Sequence, residues 1–258
     1  RIHYCGVASL VGAGASGAGL PNTHWTFERS VIQTLPMLEV SLQGLFRPVL
    51  PQGLEASALE QLFVPLQKAQ GELQRRRASD VGFMDALGDE ASLKQIVETA
   101  NALRSVAEDL LVLGIGGSSL GGQALVAALA PRIGERHRLH FVDNVDPDTL
   151  APLLEYLMPE RTAALVITKS GSTVETLAQL LIVMRWFGAS AKERLVLVTD
   201  PQRGLLRSLV ADGYQALEIP ANVGGRYSVL SPVGLLPAAF AGIAISEISS
   251  GARKIQQK

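Results

Sequence analysis

Residues 109–122 read DLLVLGIGGSSLGG. Four apolar side chains in a row, Leu110, Leu111, Val112 and Leu113, run directly into a glycine-rich exit. An unbroken run without polar alternation predicts a strand buried on both faces, as in a sheet covered by helices on each side. The glycines predict a turn whose backbone comes close to another group. The same pattern recurs downstream at residues 139–142 (interrupted by His140), 164–167 and 195–198, with a weaker run at 214–219. Helical patterns fill the gaps, at residues 120–129, 147–157, 174–187 and 204–210. Strand and helix alternating from residue 109 to 219 predict an α/β fold, a parallel five-stranded sheet sandwiched by helices with right-handed crossovers.

Upstream, residues 26–108 read as a helical N-terminal segment. Ala58, Leu59, Leu62, Phe63 and Leu66 form a helical stripe, and Pro65 within it predicts a kink or a helix end. Arg75, Arg76 and Arg77 suit a solvated helix end. A loop is expected over residues 78–88. Asp89 is expected to cap a helix over residues 90–106 with Leu93, Ile96, Val97 and Leu103 inward. Residues 1–25, rich in glycine and alanine, are expected to be a flexible lead-in, the interior of a longer polypeptide and not a signal peptide. Residues 109–245 would then be the ligand-binding domain and residues 246–258 a terminal helix or tail.

Composition narrows the function classes. The 258 residues hold 23 Lys and Arg against 24 Asp and Glu, so there is no field to attract nucleic acid. A single cysteine, Cys5, rules out an internal disulfide framework and a Cys-based zinc site, which fits a reducing, cytoplasmic setting. The most apolar stretches, 177–184 and 229–245, are shorter than the roughly 20 residues a bilayer requires. Pro232 and Pro237 interrupt the second. No membrane or nucleic-acid partner is expected. His137 and His140, flanked by Arg136 and Arg138 with Glu135 and Asp143 nearby, read as a surface turn and not as a metal pair.

In a parallel α/β sheet, ligands bind at the carboxyl ends of the strands, so the loops after the apolar runs carry the chemistry. In the first loop, Ser119 replaces the third glycine of a dinucleotide fingerprint, and Gly121-Gly122-Gln123 fails the lysine-bearing phosphate loop of nucleoside triphosphatases. Either a ligand site or a tight turn capped by Ser118 or Ser119 fits what remains. The loop after the third run, Thr168-Lys169-Ser170-Gly171-Ser172-Thr173, crowds four hydroxyls at a helix start. Hydroxyls and free N–H groups there satisfy phosphate oxygens without a metal. Ser172 and Glu175 also spell a capping box, but that leaves Thr168, Lys169 and Ser170 unexplained. After the fifth run, Gly224 and Gly225 present Arg226, which suits a developing oxyanion or, equally, a structural pair with Glu175 or Asp200.

Taken in order, LGIGGSSLGGQAL (113–125), ITKSGSTVETL (167–177) and NVGGRYSVLSPVGLLPAA (222–239) resemble the phosphoglucose isomerase family, across residues 80–245 or so. The middle segment is similar to the wider sugar-isomerase (SIS) domain group. The resemblance implies an SIS-type αβα sandwich and, in glycolysis and gluconeogenesis, interconversion of glucose 6-phosphate and fructose 6-phosphate through an enediol. It implies neither metal nor organic cofactor. Carried onto this sequence, it implies that Thr168, Lys169, Ser170 and Thr173 form the phosphate turn, with Ser118 a further phosphate contact and Gly117 lining the sugar. Gly225 and Arg226 match the segment whose arginine stabilises the enediolate, and Glu175 matches a buried glutamate with a structural role. The family's catalytic glutamate, histidine and lysine follow the arginine segment, and none is recognisable after Arg226, where Glu247 is the only carboxylate. The resemblance thus implies the N-terminal portion of the enzyme, inactive alone, whose full-length parent is a homodimer. A non-catalytic sugar-phosphate module or sensor is the alternative, and a dinucleotide-binding oxidoreductase domain a weaker one.

Overall fold

Asp89 sets the first helix that meets the sheet. Its Oδ1 accepts from the Ser92 backbone N–H at 2.8 Å and from the Ser92 hydroxyl at 2.7 Å, satisfying donors that a helix start otherwise leaves open. In this computed structural model the described residues are 43–47, 49–130, 137–200 and 202–256. They fall into two units, one within Arg1–Glu72 and one spanning Leu73–Gln257. The expected lead-in, residues 1–25, lies outside the described residues.

In the smaller unit a turn at Gln43–Leu45 and a bridge from Phe46 to Leu54 precede α1, Ala56–Arg76, which ends inside the larger unit. Pro65 lies inside it, so of the kink or helix end expected there the end does not occur. Leu62 and Leu66 are exposed, as is Val64 at 71%. On an exposed helix the carbonyl that proline leaves unpaired can turn to water.

The larger unit opens with a short 3-10 turn, Gly82–Asp85, inside the expected loop, followed by α2, Glu90–Val106. This helix buries Ile96, Thr99, Ala100 and Leu103. Val97 was expected inward but is 39% exposed, because the buried stripe runs 93, 96, 100, 103 and leaves position 97 at its edge.

The sheet follows in the expected order: β1 Asp109–Leu113, α3 Leu120–Leu129, β2 Arg138–Val142, α4 Pro147–Tyr156, β3 Thr162–Thr168, α5 Val174–Phe187, α6 Ala191–Arg194, β4 Leu195–Thr199, α7 Leu206–Ala211, β5 Gln215–Glu218, α8 Pro232–Phe240 and α9 Ile245–Gln256. The five strands are all parallel and lie in the order β2-β1-β3-β4-β5. Side chains alternate between two cores. Leu110, Val112, Leu165, Ile167 and Val198 meet α2 and α8 on one face. Leu111, Leu113, Val166 and Leu197 meet α4, α5 and α7 on the other. This is a three-layer αβα sandwich, and burial on both faces is why β1, β3 and β4 show no alternation.

His137 precedes β2 and His140 lies within it, as the strand reading of residues 139–142 expects. The His140 Nε2 is 2.8 Å from Asp109 Oδ1, while Arg138 donates to both Asp109 oxygens at 2.8 and 2.7 Å. Burial pushes the Asp109 carboxyl up, but the hydrogen bonds from Arg138 and His140 outweigh it, so the group sits below its ordinary range. Among the described residues no helix is long and apolar enough to cross a membrane.

Candidate functional site

β1 leads by one crossover to β2 on its one side, and β3 lies on its other side, leading on to β4. The order in which strands are added therefore reverses between β1 and β3, and their carboxyl ends frame the crevice where parallel sheets bind ligands. The first and second loops leave the sheet there. Gly114 has no space for a side chain: a Cβ would stand 2.9 Å from Ser118 Cβ and 3.1 Å from the Ile167 carbonyl. Residues Gly116–Ser118 make one 3-10 turn, entered through Gly116 at φ 60°. Ser119 is fully buried and its Oγ accepts from Gln123 Nε2 at 2.7 Å, a nitrogen that also lies 3.2 Å from Asp143 Oδ2. Ser119 holds the N-cap position of α3, but its hydroxyl takes no backbone N–H of the helix, so the alternative of a side-chain cap from Ser118 or Ser119 does not form.

In the second loop the structure gathers three of the expected hydroxyls. Thr168, the buried last residue of β3, has its Oγ1 at 2.9 Å from Thr173 Oγ1 and 3.3 Å from Ser170 Oγ. Ser170 Oγ and Thr173 Oγ1 are 3.3 Å apart. Gly171, at φ 62°, closes the turn against the backbone of Gly204, where a Cβ would stand 2.9 Å from the Gly204 Cα. The Leu205 N–H donates to the Gly171 carbonyl at 2.8 Å. The capping box does not form. Thr173 occupies the N-cap of α5 without a side-chain bond to the helix, and Ser172 instead donates its N–H to Ser170 Oγ at 3.2 Å. Glu175, expected buried, is exposed. The buried face of α5 is carried by Thr176, Gln179, Leu180 and Val183, and Glu175 falls off it. Lys169 is engaged with the third loop, its ammonium donating to the carbonyls of Ala221 at 2.9 Å and Val223 at 2.6 Å.

That third loop is held from several sides. Gly117 packs directly on it: a Cβ there would overlap the Gly225 carbonyl and stand 3.0 Å from the Arg226 nitrogen. The Gly82 N–H donates to the Asn222 carbonyl at 3.1 Å, and Tyr227 stacks on Phe83 with ring centroids 4.8 Å apart. Ser228 Oγ donates to the Gly225 carbonyl at 2.7 Å. Arg226 is exposed, and among the described residues no carboxylate pairs with it. Neither expected partner is used, since Glu175 is solvated and Asp200 accepts from the Gln202 N–H at 2.8 Å.

The structure thus joins all three loops, first to third through Gly117 and second to third through Lys169. It adds Phe83, which stacks on Tyr227, Gln123, whose side chain bonds Ser119, and Asn222 and Gly204, which act through backbone contacts with residues distant in sequence. What the site offers is cationic and protic: an open helix start, hydroxyls and one free guanidinium, which suits an anion. Among the described residues no group of three or more His, Cys, Asp or Glu is arranged to hold a metal ion.

Residues 92–258 match the family model described as phosphoglucose isomerase. A glucose-6-phosphate isomerase of Carboxydothermus hydrogenoformans is 42% identical over 182 residues, covering 66% of this chain and 39% of that one. A solved hypothetical protein of Thermus thermophilus superposes with a TM-score of 0.73 at 38% identity, covering 78% of this chain and 49% of that one. A solved glucose-6-phosphate isomerase from Chlamydia trachomatis gives 0.58 at 28% identity, covering 70% and 34%. The chain spans less than half the length of each of these relatives.

Proposed function

The chain belongs to the phosphoglucose isomerase family, and from that premise we propose that it is the phosphosugar-binding portion of a glucose-6-phosphate isomerase. The observation that carries this reading is the hydroxyl triangle of Thr168, Ser170 and Thr173 at the uncapped start of α5, 2.9 to 3.3 Å on its sides. A phosphate dianion replaces the hydroxyls' mutual contacts with charge-assisted bonds, each shorter and about twice as strong. Hydroxyls rotate freely to make that exchange. Ser118, whose half-buried hydroxyl faces no protein partner among the described residues, is a further phosphate contact. Gly117 and Gly225 line the sugar. Arg226 stands ready for the negative charge that builds on the C1–C2 oxygens as the enediolate forms. Ring opening and proton transfer between C2 and C1 require a base and an acid positioned beside the sugar; in this reading they come from the remainder of a longer polypeptide. That polypeptide would work in the cytoplasm as a homodimer.

Titration of the purified chain with glucose 6-phosphate tests the cradle. Replacing Ser170 and Thr173 together by alanine should weaken binding at least tenfold, as loss of two charge-assisted bonds requires. Unchanged affinity would refute the site. The second reading, a binding-only sugar-phosphate module, uses the same hydroxyl cradle and needs no base. Turnover by a longer polypeptide containing this chain, abolished by Arg226→Ala, would reject that second reading.

A further inference from the structure

The Lys169 ammonium is the one cation of the phosphate turn, yet it is spent on backbone oxygens. It donates to Ala221 at 2.9 Å and to Val223 at 2.6 Å. A lysine has three protons to donate, so at most one remains. The two carbonyls lie directly ahead of Gly224 and Gly225, a pair with no β-carbon to limit the backbone that delivers Arg226. Val223 is fully buried and its N–H donates to the Pro220 carbonyl at 3.0 Å, so the clamp closes on a fixed point. On the far side Gly225 rests against Gly117.

Resting on the phosphosugar reading above, we propose that Lys169 is a positioning residue and not a phosphate ligand: it ties the phosphate turn to the third loop and sets where Arg226 meets the reacting carbons. The turn and the arginine then move as one body. Phosphate binding, remote from the chemistry, is thereby converted into orientation of the group that stabilises the transition state.

Two measurements on the 258-residue chain test this. The first is amide hydrogen exchange. Lys169→Met should speed exchange at residues 222–227 at least tenfold while leaving β3 amides unchanged, and Lys169→Arg, which keeps the charge and the donors, should restore most of the protection. Unchanged exchange at 222–227 overturns the proposal. Should the methionine variant not fold, Lys169→Gln serves in the same comparison. The second measurement is affinity for two probes: inorganic phosphate, which reports the turn alone, and a planar phosphorylated hydroxamate that mimics an enediolate. Lys169→Met should keep phosphate affinity within twofold and weaken the hydroxamate at least tenfold, with no further loss on adding Arg226→Ala. A tenfold loss for phosphate as well would make Lys169 a direct ligand and overturn the proposal. Failure of the unmodified chain to bind either probe would refute the phosphosugar reading instead, and the exchange comparison would then decide the clamp by itself.

Discussion

Gly117 shows how little room the site leaves. Its missing side chain is the space occupied by the Gly225 carbonyl and the Arg226 nitrogen. Gly117→Ala must push the third loop away, an overpacking that costs on the order of 1–3 kcal/mol. The expected outcome is a lower melting temperature and a tenfold or greater loss of affinity for an enediolate mimic, with inorganic phosphate binding retained. Calorimetric titration of both ligands checks it. The residue types of the site were legible: hydroxyls beside a glycine at a helix start, and an arginine after two glycines. Their partners were not. Lys169 reads as a phosphate ligand because the Ala221 and Val223 carbonyls lie some fifty residues on, and no local pattern announces a backbone acceptor. Glu175 and Ser172 spell a capping box, but the turn at Gly171 delivers Thr173 to the cap and leaves both in solvent.

At the level of elements, α3 and α5 and the strands β1, β3 and β4 follow directly from their side-chain patterns, because a strand covered on both faces must be apolar throughout. β5 is the weakest in sequence and the shortest in fact, with one buried residue, Leu217, in four. For α1 the pattern gives the helix but not its surroundings: Leu62 and Leu66 of the stripe are exposed, and the helix does not end at Pro65. Local periodicity cannot say whether anything packs against it. Proline in an exposed helix interior costs up to about 3 kcal/mol relative to alanine. Pro65→Ala should therefore raise protection of α1 amides in hydrogen exchange without changing ligand affinity at the sheet.

Across the larger unit, acid sensitivity should concentrate at the amino-terminal edge of the sheet. Asp109, buried between Arg138 and His140, titrates below its ordinary value of 3.8. A carboxylate whose folded value is depressed contributes stability above the unfolded value and loses it as pH falls through the folded one. Melting temperature should thus drop steeply as pH falls below about 4. Asp109→Asn should be less stable at pH 7, by about 1 kcal/mol because the Arg138 partner is half-exposed and screened by solvent, and should show a flatter pH profile below 4. Equal slopes for the two proteins would remove Asp109 from the account. The sheet order itself could not be read from the chain, since five parallel strands can be threaded in several ways; only the pairing of β1 with both β2 and β3 fixes the crevice.

That pairing also sets a timetable. β1 cannot be completed until β3 exists, because Leu113 needs Val142 on one flank and Val166 on the other. No hairpin nucleates such a sheet; long loops must close before any ladder repays them, which makes parallel topologies slow to form. On the ribosome, the apolar run at 110–113 is made before the other strands; β2 at 138–142 can cover one flank, but the other stays open until β3 at 162–168 is made. During that interval it is an open adhesive surface, and chaperone demand, not final stability, should limit the yield of this protein in the cell.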